Sequence, residues 1–182
     1  VSGNEDVAIS IATNSISDAD STSLTAVTIS STQSGTFSLV GVSGLTFAAG
    51  DGTADNTMTF SGTITNINTA IATLTWTSAA DDHTNAVLTI LSNDGDDTDS
   101  DTVAITVNSV NDAPVNTVSG AVSGNEDTAI SIATNSIADV DDTSLTAVTI
   151  SSTQSGTFSL VGVGGLTFAA GDGTADNTMT FS

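Results

Sequence analysis

The stretch Leu24-Thr25-Ala26-Val27-Thr28-Ile29 places apolar side chains nearly alternately with Thr, which is the period of a half-buried β-strand. Other segments show the same pattern, separated by Gly, Asp, Asn and Ser clusters that are typical of turns. These segments are residues 7–11, 36–40, 45–47, 57–60, 87–91 and 103–107. About seven short strands predict an all-β fold, and their number fits a Greek-key β-sandwich.

Residues 64–74 depart from this pattern, because their apolar side chains recur at spacings of three and four. They are Ile64, Ile67, Ile71 and Leu74. This spacing predicts a short helix that crosses between the two sheets, with Asn66 or Asn68 as its N-cap. Trp76 follows, and we expect it to fill the core rather than to form a ligand platform.

The chain repeats itself, since Val1–Ser61 recurs as Val122–Ser182 with a period of 121 residues (122 − 1). The copies differ at five pairs of positions, which are Val7/Thr128, Ser17/Ala138, Ala19/Val140, Ser21/Asp142 and Ser43/Gly164. A period of this length suits an autonomous domain and predicts tandem beads. We expect a complete sandwich at 1–110, a linker at 111–121 and the first half of a second sandwich at 122–182.

Half a sandwich leaves sheet edges and an apolar face uncovered. The sequence therefore suggests a window from a longer periodic chain, and its start at Val1 has neither an initiator Met nor a signal peptide. Completion by a strand from a neighbouring molecule is the second possibility.

The composition restricts the possible partners, because the chain has no Lys or Arg, 21 acidic residues and a formal charge of −21. Nucleic acids and anionic membrane surfaces are excluded as partners, since both bind through basic side chains. The 38% hydrophobic content and mean hydropathy of +0.21 still predict a folded core. Without Cys there are no disulfides or thiolate metal sites, and no apolar run is long enough for membrane insertion.

The carboxylates cluster between the apolar strand segments, and several of them, including Asp94 to Asp101, are predicted to lie in loops. Crowded carboxylates repel one another, and in this chain only protonation, screening or a bound cation can relieve the repulsion. Flexible acidic loops supply the six to eight oxygen ligands that Ca²⁺ prefers more readily than the tight octahedron of Mg²⁺. Ca²⁺ is therefore the expected cofactor.

The densest constellation surrounds Val110-Asn111-Asp112-Ala113-Pro114-Val115, which contains the only Pro. It is followed by Asn125-Glu126-Asp127 and Asp139-Val140-Asp141. With Ser92-Asn93-Asp94-Gly95-Asp96, these motifs resemble the cadherin-like and VCBS-type repeats of giant bacterial adhesins. The resemblance spans the whole period and implies a cadherin- or Ig-like sandwich.

The resemblance also implies that calcium lies between consecutive domains, held by an Asn-Glu pair, an Asn-Asp linker and an Asp-x-Asp element. At the complete junction the implied ligands are Asn111, Asp112, Asp139 and Asp141, which makes 111–121 a calcium-binding linker. Acidic residues of the first domain would complete the site, with Asp81, Asp82, Asp94 and Asp96 as candidates. The Leu-Asp-Arg-Glu element of classical cadherins is missing, and Glu126 is an alternative source of ligands. The full candidate set is Asn4, Glu5, Asp6, Asp18, Asp20, Asp81, Asp82, Asp94, Asp96, Asn111, Asp112, Asn125, Glu126, Asp127, Asp139 and Asp141.

Other sites are weaker. Residues 97–101 resemble half of an EF-hand loop, but the required Gly is missing and position twelve is Asn108 rather than Glu. Residues 50–56, repeated around Asp172 and Asp176, could hold a separate ion or simply form a turn. His83 is the only His, and nothing around it resembles a nucleophile motif, so we expect no enzymatic activity.

These observations predict a structural extender of an extracellular, secreted or cell-surface adhesin or biofilm filament, stiffened by calcium between neighbouring repeats. One rival is a self-assembling filament or sheath subunit that is completed by strand donation from like chains. The other is a calcium-dependent module that binds a sugar or peptide through the loops around Asp51 or Asp94.

Overall fold

The computed structural model describes residues 1–182, and the chain divides into two units, Val1–Val110 and Asn111–Ser182. We call them unit 1 and unit 2. Both consist of strands and loops apart from one short helix in unit 1, and this confirms the predicted all-β class. That helix has eight residues, far short of a membrane span, and the structure contains no other.

Unit 1 contains nine strands and the helix α1. They are β1 (Ser2–Asn4), β2 (Ile9–Ser10), β3 (Ser23–Ser31), β4 (Gly35–Ser38), β5 (Leu45–Ala49), β6 (Met58–Thr63), α1 (Ile64–Ile71), β7 (Thr75–Ser78), β8 (Ala86–Asn93) and β9 (Thr98–Asn108). Each of the seven predicted strands coincides at least partly with one of these. The two missed strands are β1, whose sequence Ser-Gly-Asn has no apolar residue, and β7, which follows the helix closely.

The strands form a six-stranded sheet in the order β1-β9-β8-β3-β6-β5 and a three-stranded sheet in the order β2-β7-β4. Buried side chains from both sheets and from α1 form one core, which includes Ile29 of β3, Phe37 of β4, Ile67 of α1 and Leu88 of β8. Because β3 lies between β6 and β8, the chain passes from β6 to β8 through α1 and β7. This non-sequential order is the expected sandwich, with the helix as the crossover.

The helix begins one turn earlier than its predicted caps would allow. Thr63 is the N-cap, and its hydroxyl accepts a hydrogen bond from the amide of Asn66. The prediction of Asn66 or Asn68 as N-cap is therefore wrong, since both lie inside α1. Asn68 instead exchanges hydrogen bonds of 2.8 Å with the backbone of Ile16, and so it anchors the segment before β3 to the helix.

Trp76 is fully buried in β7, opposite Ile9 of β2 and Phe37 of β4. A Cβ added to Gly35 would come within 2.6 Å of the Trp76 ring, so the indole packs directly on the glycine backbone. Its Nε1 has no hydrogen-bond partner, which is tolerated in a side chain that buries so much apolar area. The expected core role of Trp76 is confirmed.

Unit 2 contains two small sheets. Its strands are β10 (Val115–Thr117), β11 (Ser136–Ala138), β12 (Val148–Ser151), β13 (Phe168–Ala170) and β14 (Thr178–Phe181). β10 pairs with β11, and the other three form a sheet in the order β12-β14-β13. This order repeats β3-β6-β5 of unit 1, since Val148 pairs with Phe181 as Val27 pairs with Phe60.

Candidate metal centre

Glu5 lies at the end of unit 1 from which the chain leaves. β1 runs parallel to the end of β9, with Asn4 opposite Asn108, and this places Glu5 beside the last residues of the unit. The Glu5 amide donates to the Asn108 carbonyl (3.0 Å), and Glu5 Oε1 accepts from the Val110 amide (2.7 Å). Glu5 is only 2% exposed, and no hydrogen-bond donor reaches its Oε2. One oxygen of this buried carboxylate is thus satisfied and the other is not.

His83 is the one titratable base near this oxygen. Its Nδ1 lies 3.8 Å from Glu5 Oε2, which is too far for a hydrogen bond. The His83 side chain is 58% exposed and is positive only when protonated, and the chain has no Lys or Arg. A buried carboxylate without a cation is strongly unfavourable, so Glu5 Oε2 is a candidate cation ligand.

Asp6 and Asp81 bring two more carboxylates to the same end of unit 1. Asp6 Oδ1 accepts from the Asp81 amide (3.1 Å), and carboxylate oxygens of the two residues lie within 4.8 Å. Both residues adopt positive φ angles (58° and 57°), and the Asp6 amide donates to Ser78 Oγ. Together with Glu5 and His83 they form what we call the Glu5 cluster. It brings several carboxylate oxygens to the end of unit 1 that holds the unsatisfied Glu5 Oε2, and oxygens of this kind are the donors that hard cations prefer.

The other two candidates near this end are held by local contacts. Asn4 Oδ1 accepts from Asn108 Nδ2 (3.4 Å), which ties β1 to the end of β9. Asp82 turns back on its own loop, where the hydroxyl and the amide of Thr84 donate to its carboxylate and lower the pKa of Asp82. Asp82 therefore stays charged without a metal.

A second acidic region of unit 1 contains Asp18, Asp20, Asp94 and Asp96. Asp18 Oδ1 accepts from the amides of Ser21 (2.7 Å) and Asp20 (3.0 Å). These bonds, that of Ser21 first, favour the charged carboxylate and lower the pKa of Asp18. Asp94 Oδ1 likewise accepts from the amides of Asp96 and Asp97 (both 2.8 Å).

Asp18 and Asp94 both line one groove of about 520 Å³, which we call the Asp18 groove. Asp99 and Asp101 line it too, and the structure corrects their assignment to a loop, because both lie in the first half of β9. Every other residue along a strand points to the same side, so this polar half of β9 presents its carboxylates together. The alternation of Asp with Thr and Ser was a strand signal in the sequence.

The structure does not place Asp94 and Asp96 with Asp81 and Asp82. In the β8–β9 hairpin Asn93 pairs with Thr98, whereas Ala86 pairs with Ile105 near the chain exit. At about 3.3 Å per residue, the β9 strand separates the hairpin from Asn108 by about 30 Å. The expectation that Asp94 and Asp96 complete one site with Asp81, Asp82 and the linker is therefore wrong. The length of the segment 98–107 could have revealed this separation. Residues that precede a strand and residues that follow it lie at its opposite ends.

Unit 2 gathers the linker residue Asp112 with the Asp-x-Asp element. The Asp112 amide donates to Asp141 Oδ2 (2.6 Å), and Asn111 Nδ2 donates to the Asp112 carbonyl (2.6 Å). Asp139 Oδ1 accepts from the amides of Asp141 and Asp142 (both 3.0 Å), which repeats the Asp18 turn of unit 1. The four residues that the family resemblance implies as ligands thus lie together within this unit.

Asn125, Glu126 and Asp127 are exposed in unit 2 and belong to no strand. Asp127 keeps the positive φ of its counterpart Asp6 (58° in both). The strand that receives β1 in unit 1 is β9, and unit 2 contains no second copy of it. The same Asn-Glu-Asp sequence therefore has the local conformation but not the burial.

The loop at 50–56 forms a turn. Asp55 Oδ2 accepts from the amides of Asp51 (3.0 Å) and Gly52 (2.7 Å), and Asp51 Oδ1 accepts from Thr53 (2.9 Å). The bonds around Asp172 and Asp176 in unit 2 have the same lengths. Backbone amides thus satisfy these carboxylates, as expected for the turn interpretation.

Comparisons with known proteins identify no relative, as no family model, no curated protein and no solved structure matches the chain.

Proposed function

We propose that this protein is a structural extender of the cadherin-like or VCBS type found in extracellular bacterial adhesins and filaments, and that calcium stiffens the junctions between its repeats. The observation that carries the proposal is the buried Glu5, whose Oε2 has no hydrogen-bond partner in a chain without Lys or Arg. A cation is the missing partner.

Calcium is the cation that fits best. The Glu5 cluster offers carboxylate oxygens from Glu5, Asp6 and Asp81, and unit 2 offers those of Asp112, Asp139 and Asp141. Oxygen ligands of this number and flexibility suit Ca²⁺ better than Mg²⁺. When bound, calcium would neutralise the buried charge and cross-link the carboxylates around it.

The covalent chain is what makes this a junction site. The Val110 amide donates to Glu5, and the next two residues are Asn111 and Asp112, so the linker starts at the Glu5 cluster. A cation that holds both the cluster and the linker would restrict the backbone torsions there. In a tandem array, that restriction converts a flexible chain of domains into a stiff, extended one.

The proposed location is extracellular, because extracellular modules typically bind calcium at about 0.1 to 1 mM and a junction of this type would be filled there. An array would stiffen outside the cell and stay slack inside it. The absence of Lys and Arg also removes every trypsin site, which suits an exposed fibre. The sugar- or peptide-binding alternative gains less support, because backbone amides satisfy the carboxylates of the Asp51 loop in both copies.

Small-angle scattering of the 182-residue chain tests the proposal, with calcium raised from zero to about 5 mM. We expect the maximum dimension of the chain to grow and the range of its conformations to narrow. The circular dichroism signal of the strands should stay constant. Magnesium at the same concentrations is the control for screening, and Glu5→Gln is the control for the site. An unchanged scattering profile at saturating calcium would contradict the proposal.

A further inference from the structure

Unit 2 exposes an apolar face that its near-identical counterpart buries. Ile130 is 46% exposed where Ile9 is 4% exposed, and Ile132 is 48% exposed where Ile11 is 1% exposed. A groove of about 950 Å³ runs along this face and is lined by Ile132, Val148, Ile150 and Phe181, among others. Because the surrounding sequence is the same, the difference lies in what covers the face.

Residues 62–108 cover it in unit 1. They supply α1, β7, β8 and β9, whose buried side chains Ile67, Trp76, Leu88 and Ile105 complete the core. This segment occurs once in the sequence, and in the structure it belongs to unit 1. The way in which residues 62–108 pack on the first copy therefore shows what would pack on the second copy.

The strand edge that receives the segment already exists in unit 2. In unit 1, β3 lies between β6 and β8, and its register with β8 runs from Ala26 opposite Asn93 to Ser31 opposite Leu88. In unit 2, β12 pairs only with β14, in the register that β3 has with β6. The opposite edge of β12 thus presents amides and carbonyls in the position where β8 would add.

A seat for the indole of Trp76 exists as well. In unit 1 a Cβ on Gly35 would lie 2.6 Å from both the Trp76 ring and the Thr77 carbonyl oxygen. A Cβ added to its counterpart Gly156 would meet no heavy atom within 4 Å. Ile130 and Phe158, the counterparts of the two residues that flank Trp76, are not buried in unit 2. The space that the indole fills in one unit is thus open in the other.

We propose that the exposed face of unit 2 is an acceptor for a second polypeptide copy of residues 62–110. The strand 88–93 adds antiparallel to β12, with Ile90 opposite Ile150, and the Trp76 ring lies on Gly156. The strand and indole contacts named here are apolar or between backbone groups, and they need no calcium. The segment carries seven Asp and no Lys or Arg, so repulsion opposes binding and added salt strengthens it.

The test is titration of an isotope-labelled peptide of residues 62–110 into the unlabelled 182-residue chain, with EDTA present and the amide spectrum of the peptide recorded. We expect the narrow spectrum of an unfolded peptide to become dispersed, with saturation at one peptide per chain. A spectrum that stays narrow with excess chain would overturn the proposal. So would a dimer of the chain, detected by sedimentation, that the peptide fails to dissociate.

A pair of glycine variants locates the binding site. Gly156→Ala adds a methyl group that the free chain accommodates but the seated indole does not, so we expect at least tenfold weaker peptide binding. Gly164→Ser is the matched control, because it introduces the residue of the first copy at an open position and should leave binding unchanged. Equal affinities of the two variants would show that Trp76 does not lie on Gly156.

Discussion

Residues 1–61 and 122–182 are nearly the same sequence in two different environments. Both form the same local sheet, and their aromatic pairs are alike, with ring centroids 5.4 Å apart for Phe47–Phe60 and 5.5 Å for Phe168–Phe181. Yet Ile29 is fully buried and its counterpart Ile150 is not. Hydrogen-bond register and turn geometry are thus local properties, whereas burial depends on residues 62–108.

The acidic residues show the same contrast. Glu5 and Glu126 have the same neighbours in sequence, but only Glu5 is buried, because β9 receives β1 in unit 1. The carboxylate becomes a candidate metal ligand through this burial, since an exposed Glu is satisfied by water. The site is therefore a property of the completed sandwich rather than of the Asn-Glu-Asp motif.

The largest expected effect comes from truncating one isoleucine in each copy. Ile29→Ala should destabilise unit 1 by about 2–5 kcal/mol, since it leaves a cavity in a packed core, while Ile150→Ala should cost unit 2 less than about 1 kcal/mol. Urea unfolding followed by amide signals of each unit measures both. Equal losses would mean that the two copies are equally packed in solution.

The next effect concerns the buried charge. Without calcium, Glu5→Gln should stabilise unit 1 by on the order of 1–3 kcal/mol, because the variant removes an unpaired buried charge and keeps the bond to Val110. Added calcium should raise the unfolding temperature of the variant less than that of the wild type. Thermal unfolding with calcium and with EDTA measures both changes.

Glu126→Gln is the matched control for this prediction, and its exposed position should make it neutral in EDTA. If Glu5→Gln destabilised unit 1 in EDTA and left the calcium increment intact, the role of Glu5 as a cation ligand would be wrong.

A smaller effect tests the corrected helix cap, which exists only in unit 1. Thr63→Ala should cost about 1 kcal/mol, because the amide of Asn66 loses its acceptor. The comparison variant is Thr65→Ala, an exposed helix position without a capping role, which should have little effect. Chemical denaturation of unit 1 compares the two, and a similar loss for both would argue against the cap.

The smallest effect is a pH dependence in the Asp18 turn. Because hydrogen bonds lower the pKa of Asp18 in the folded state, its contribution to stability is complete above the unfolded value of about 3.9 and disappears as the pH falls through the lowered pKa. The stability difference between wild type and Asp18→Asn in unit 1 should shrink accordingly between about pH 5 and pH 2.

Urea midpoints at successive pH values measure that difference. Asp139→Asn is the matched variant in unit 2, where the same turn is present. If the stability difference between wild type and Asp18→Asn stayed constant down to the lowest pH, the charge of the Asp18 carboxylate would contribute nothing to stability.

Much of the fold could be predicted from the sequence because strand and helix periods are local. Alternation located β3 and β8, and the spacing of isoleucines located α1. The N-cap was mispredicted because Asn66 and Asn68 have side chains that can cap a helix but lie inside α1. Only the backbone angles of Thr63 identify it as the N-cap. β1 was not predicted because backbone pairing with β9, rather than its own side chains, holds it in place.

The candidate site was predictable in composition but not in grouping. Which carboxylates meet depends on which strand ends share an end of the sandwich, and the length of β9 separates Asp94 from Asp81. His83 next to Glu5 was equally hidden, since the two residues are far apart in the chain.

By itself the sequence determined the β class, the repeat with its registers and turns, and a surplus of negative charge that no side chain can balance. Only the tertiary structure decided that Glu5 is buried with one unsatisfied oxygen, that the acidic residues of unit 1 form two separate clusters, and that one copy of a sequence is covered while the other is open. The physical reason is that turns and the pairing of neighbouring strands arise within each copy of the repeat, whereas burial and charge grouping arise from segments that are distant in sequence.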